Sequence, residues 1–73
     1  MLNPSQCRAA RAFLGWSQRD LSARTGLRQQ VIARFELGET DPRVSTISKI
    51  EEVLREAGIE LLEDGGTGVK LRK

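Results

Sequence analysis

The 73-residue chain has no histidine and no tyrosine, one cysteine, two prolines, one tryptophan and two phenylalanines. Each shortage excludes something. Without histidine there is no imidazole for general-base work or zinc binding, and Cys7 has neither a base to activate it nor a second thiol to bridge. Cys7 sits in an alanine-rich stretch and reads as a small buried residue of a reducing compartment. No glycine-rich phosphate loop precedes a helix, and no metal-ligand cluster is present, so no enzyme, cofactor or metal is expected. No apolar run approaches the roughly 18 residues needed to span a membrane. With no signal peptide visible either, the expectation is a soluble cytoplasmic protein without a membrane partner. The length allows one small domain with a thin core.

What is present is charge, unevenly spread around a net of +2. From Met1 to Arg43 the bases Arg8, Arg11, Arg19, Arg24, Arg28, Arg34 and Arg43 outweigh Asp20, Glu36, Glu39 and Asp41. From Val44 to Asp64 the balance reverses, with Lys49 and Arg55 against Glu51, Glu52, Glu56, Glu60, Glu63 and Asp64. The tail turns basic again at Lys70, Arg72 and Lys73. A basic front and an acidic rear suit a protein that shows one face to a polyanion.

Asn3-Pro4 opens a first helix, with Gln6 placed to complete a capping box. Cys7, Ala10 and Leu14 form its core stripe, Gly15 ends it, and Phe13 and Trp16 read as packing residues. Ser17 caps a second helix with Asp20 as its answering acid, and Leu21 with Ala23 or Arg24 carries the inward face. Thr25-Gly26 makes a turn, and Leu27 plugs the core behind it. A third helix follows from about Arg28 to Leu37, with Ile32 and Phe35 inward and Gln29, Gln30, Ala33 and Arg34 outward. Two short helices joined by a tight turn, the second with a polar and basic outer face, make the helix-turn-helix arrangement that places a helix in the major groove of DNA. Here it spans 17–38.

Pro42 breaks the chain after this unit. A fourth helix starts at Ser45 or Thr46. Its stripe is Val44, Ile47, Ile50, Val53 and Leu54, and its wet face Lys49, Glu51, Glu52, Arg55 and Glu56. Gly58 caps its end. The alternation of Ile59-Glu60-Leu61 and of Val69 to Arg72, around a turn-rich stretch from Glu63 to Gly68, predicts a short hairpin. A two-stranded hairpin is marginal alone. Its apolar residues Ile59, Leu61, Val69 and Leu71 need either the fourth helix or the same hairpin of a second chain, which makes them dimerisation candidates. The organisation expected is a mainly α, four-helix DNA-binding domain over 1–58 and a β-hairpin over 59–73.

Leu14-Gly15-Trp16-Ser17-Gln18, Leu21, Gly26, Gln29-Gln30, Ile32 and Glu36-Leu37-Gly38-Glu39-Thr40 together resemble the Xre-type helix-turn-helix proteins, which include the phage repressors and Cro. The resemblance covers about Arg8 to Gly58 and implies a compact phage-repressor-like domain, usually a dimer on a palindromic operator. The C-terminal hairpin departs from the minimal phage repressor and is similar to the tails of some short bacterial regulators. The resemblance puts base readout at Gln29, Gln30 and Arg34. Glutamine can pair with adenine N6 and N7, and arginine with guanine O6 and N7 or with a phosphate. It puts Gln18 against the DNA backbone at a helix start, with Arg43 at a second phosphate contact; Arg28 and Arg19 read as further backbone contacts. Arg11 and Glu36 match a largely buried structural ion pair. Val31 is assigned to packing at the groove edge, with a methyl contact to thymine as the alternative, and Leu37 to no base contact. The function implied is a sequence-specific regulator of double-stranded DNA, a repressor acting as a homodimer. The alternative is an antitoxin or other interaction module that binds a protein such as a toxin through the acidic helix and the hairpin.

Overall fold

The computed structural model of the chain describes residues 1–39, 41–62 and 68–71. Four helices, α1 (Pro4–Leu14), α2 (Gln18–Thr25), α3 (Gln29–Leu37) and α4 (Val44–Glu56), are followed by strands β1 (Ile59–Leu61) and β2 (Val69–Leu71). The fold is therefore mainly α with a C-terminal antiparallel hairpin. Thr40, the turn expected within 63–67 and the tail bases Arg72 and Lys73 lie outside the described residues.

The first two helices begin where reciprocal caps allow. Asn3 Oδ1 accepts from the Gln6 N–H at 2.8 Å, and Gln6 Oε1 from the Asn3 N–H at 3.1 Å. Ser17 Oγ accepts from the Asp20 N–H at 3.0 Å, and Asp20 returns the bond to the Ser17 N–H at 2.8 Å. Those bonds from Ser17, backbone first, hold the Asp20 carboxyl below its ordinary value. Gly15 and Gly26 end the two helices at φ 69° and 76°, a left-handed conformation that costs glycine little.

The core is built from Cys7 and Ala10 of α1, Leu21 of α2, Ile32 and Phe35 of α3, Ile47, Ile50 and Leu54 of α4, Ile59 and Leu61 of β1, and Leu2 ahead of α1. α1 packs on α3 and β2, α2 on α3 and α4, and α4 on β1. Several expectations are corrected. Phe13 is 55% exposed. It lies on the Gln6 side of α1 but about 10 Å further along the axis, and no described residue closes over it. The inward face of α2 is Leu21 and Thr25, one turn apart, rather than Leu21 with Ala23 or Arg24. The Thr25 hydroxyl is satisfied inside by donating to the Leu21 carbonyl at 2.8 Å. α4 begins at Val44 with Arg43 as its N-cap, not at Ser45 or Thr46. Val44 leaves the stripe because it sits about 120° around the helix from Ile50, and it is exposed. Glu51 leaves the wet face: its Oε1 accepts from the Leu2 N–H at 2.7 Å, which pins the N-terminal segment to α4.

In the hairpin Ile59 pairs with Leu71, Glu60 with Lys70 and Leu61 with Val69. Directly opposed residues share a face, so four apolar side chains point one way and the Glu60–Lys70 pair the other. Ile59 and Leu61 enter the core, and Val69 and Leu71 pack half-buried against it. The buried Gln6 amide fixes the neck of the hairpin, its Nε2 donating to the carbonyls of Leu62 and Gly68, each at 3.0 Å. A Cβ at Gly68 would stand 2.9 Å from Leu62 Cδ1, so the exposed Leu62 side chain would have to shift to admit one. The β1 half of the apolar face is thus covered within its own chain. The side chains of Ile59 and Leu61, named as dimerisation candidates, are occupied by that core and present no free surface. Among the described residues no helix is long and apolar enough to cross a membrane.

Candidate nucleic-acid interface

The helix-turn-helix unit is held by a polar hub centred on Glu36, a side chain only 3% exposed. Its Oε1 accepts from Arg11 Nη2 at 2.7 Å and Gln18 Nε2 at 3.1 Å; its Oε2 accepts from Arg11 Nε at 2.7 Å and Cys7 Sγ at 3.1 Å. Arg11 also donates through Nη1 to the Trp16 carbonyl at 3.1 Å. Arg8 donates to the Glu36 backbone carbonyl near the end of α3 and to Ser5 Oγ. One carboxylate therefore ties α1, the start of α2 and the end of α3 together.

The charges in this hub follow from its bonds. Burial by itself would raise the Glu36 carboxyl, but donation from Arg11, Cys7 and Gln18 and the Arg11 charge outweigh it and hold the group low. The same Glu36 hydrogen bond holds the Arg11 guanidinium above its ordinary value. Burial first, and then the bond to Glu36, push the Cys7 thiol far up, so it stays protonated and acts as a donor. Sequence reasoning placed Arg11 and Glu36 together through a resemblance. It missed that Cys7 and Gln18 join them, and no spacing in the chain signals it.

Gln18 is thus half-buried and turned toward Glu36. An amide nitrogen carries two hydrogens, so one remains for another acceptor. Behind α2, Arg24 stacks on the Trp16 ring, 4.1 Å from its centroid. An open groove of about 310 Å³ there is lined by Trp16, Arg24, Val53, Glu56 and Ala57, with no residue of α3.

α3 presents the opposite character. Ile32, Phe35 and Glu36 are buried, while Gln29, Gln30, Val31, Arg34 and Leu37 are exposed and Ala33 is partly so. The helix starts at Gln29, with Arg28 as an extended N-cap whose side chain makes no capping bond. The Arg28 carbonyl accepts from Val31 and Ile32 at 3.0 and 3.3 Å. The Gln29 and Gln30 N–H groups have no partner among the described residues. α4 repeats the pattern: Arg43 is an extended N-cap without a side-chain capping bond. Arg19, Arg28, Arg34 and Arg43 are exposed, and none makes an ion pair with a described residue. Open N–H groups, the positive end of a helix dipole and an unpaired guanidinium form a set that attracts an anion. Among the described residues no three or more histidine, cysteine or acidic side chains are grouped to hold a metal ion.

A buried hub, a left-handed glycine turn and an outward polar helix are the anatomy of a DNA-reading helix pair, and a helix-turn-helix family model, HTH_3, matches residues 8–61. The chain belongs to this family. The match runs from α1 through β1, so it includes the Glu36 hub, both helices of the unit and α4. No curated protein matches the chain. Membership of this Xre/Cro-type family makes the chain a DNA-binding helix-turn-helix regulator.

Proposed function

We infer that the chain is a sequence-specific transcriptional repressor that binds double-stranded DNA as a homodimer on a palindromic operator, with the start of α3 in the major groove. The observation that carries this reading is the exposed face of Gln29, Gln30 and Arg34 on a helix whose first turn is left uncapped beside Arg28. Gln29 and Gln30 read base edges from the first turn, and Arg34 reads a guanine or a phosphate one turn later. Gln18, with one amide hydrogen held by Glu36, offers the other to a phosphate. Arg28, Arg43 and Arg19 add backbone contacts that orient the domain without reading sequence.

A single copy presents one such helix, and a palindrome needs two. In the homodimer the free handle on the hairpin is β2, whose Val69 and Leu71 are only half-buried. Repression follows from occupancy: a small dimer seated on a promoter excludes other proteins from it.

The test is a titration of the full chain against genomic duplex fragments at two salt concentrations. A preferred palindrome, with half-sites about one helical turn apart and affinity falling steeply with salt, supports the reading. Binding indifferent to both sequence and salt overturns it. Alanine at Gln29, Gln30 and Arg34 together should abolish sequence preference. If that variant keeps its biological effect, the function passes to a protein partner such as a toxin.

A further inference from the structure

The outward face of α3 contains a residue that a polar DNA interface does not require. Gln30 and Arg34 lie about 160° around the helix from the buried Ile32, Leu37 about 140° and Ala33 about 100°. Leu37 thus stands in line with two of the side chains assigned to the bases, with Ala33 one turn behind it. Leu37 is 68% exposed, whereas Ile32 and Phe35 on the same helix are 0% and 3% exposed. No described residue covers it, and Gly38, at φ 71°, turns the chain away immediately afterwards.

An exposed leucine contributes little to folding. Within a major groove the matching apolar feature is the thymine C5-methyl group. We propose that Leu37, assisted by Ala33, reads thymine methyl groups, and so sets sequence specificity at base pairs beyond those addressed by Gln29 and Gln30. Leu37 lies about 10 Å along the axis from Gln30, roughly three base-pair steps, so the thymine belongs to a different part of the half-site. This reverses the expectation that Leu37 makes no base contact. The inference rests on the reading that α3 enters the major groove.

The experiment first selects binding sites for the full chain from a random duplex library. It then replaces each thymine of the selected site with uracil, which removes the methyl group alone. At one or two thymines per half-site, uracil is expected to weaken the parent chain about fourfold per methyl lost. Leu37→Ala should bind the thymine site correspondingly more weakly and no longer distinguish thymine from uracil there, while still rejecting base changes at the Gln30 position. A selected site without thymine overturns the proposal. So does a parent chain indifferent to uracil at every position, or a Leu37→Ala variant that keeps the full discrimination. These three results leave base reading by α3 standing. A library that yields no preferred sequence overturns base reading itself, and the proposal with it.

Discussion

α1 and α2 begin on Asn3 and Ser17, each in a reciprocal capping box; α3 and α4 begin on Arg28 and Arg43, neither of whose side chains caps its helix. A polar cap contributes about 0.5–2 kcal/mol, and a cation at the positive end of a helix dipole opposes it by about 0.3–1 kcal/mol. At α3 and α4 the chain therefore forgoes the first and accepts the second. Breaks in local rules concentrate at functional sites. The helices that open the domain satisfy their own starts, and the two that follow the turn and the loop leave theirs open. The same division separates the Glu36 carboxylate, whose bonds all come from inside the chain, from the outer face of α3, where the side chains are unengaged.

The comparison is broken most severely from the closed side. Arg11→Ala strands the buried Glu36 carboxylate and should cost about 3–5 kcal/mol, much of what a small domain has. Urea unfolding would measure it, and an unchanged midpoint would mean that the hub does not hold α1 to α3. Acid attacks the same group. The folded-state pKa of Glu36 is depressed, so its contribution is fully present above the unfolded carboxylate pKa of about 4.3. It is lost as pH falls through the lower folded value. Unfolding midpoints measured from neutral pH downward should drop below that point in the parent chain and fall less steeply in Glu36→Gln. Ser17→Ala removes one cap bond and should cost about 1 kcal/mol by the same measurement.

The smallest effect, and the one that sharpens the contrast, comes from closing an open end. Arg28→Ser supplies α3 with a conventional cap and should raise stability by about 0.5–1 kcal/mol. It should also weaken DNA binding and lower the slope of log affinity against log salt by about one. A variant more stable and equally tight on DNA would show that the open start is an accident of packing.

How much of this could be read in the sequence depended on the range of the interaction. The caps at Asn3-Gln6 and Ser17-Asp20 and the glycine ends follow from neighbours within a turn, and all are found where the residues imply them. Helical spacing likewise gave Ile32, Phe35, Ile47, Ile50 and Leu54 as core. Failures came at helix ends: Phe13 keeps the period but lies beyond the cover, and Val44 falls off the line of the stripe. Leu2 was legible in principle, since an apolar residue before an N-cap packs back on the first turn. The role of Gln6 as a clamp on the hairpin was not, because its acceptors are backbone carbonyls, which every residue carries. Of the candidate interface, the outward position of Gln29, Gln30 and Arg34 followed from helix geometry. That Gln18 shares Glu36 with Arg11 and Cys7 depends on how three helices meet.

The Gln6 clamp also bears on how the domain comes into being. Its two acceptors lie 56 and 62 positions further along the chain. Helices form within microseconds, but a ribosome adds about 5–20 residues per second. For about 3–12 s at those rates, the α1 segment has been made while the strand that closes over it has not. During that interval the Gln6 amide and the apolar side of α1 lack their native partners. The pace of translation, rather than of helix formation, thus sets how long each new copy waits for its last clamp.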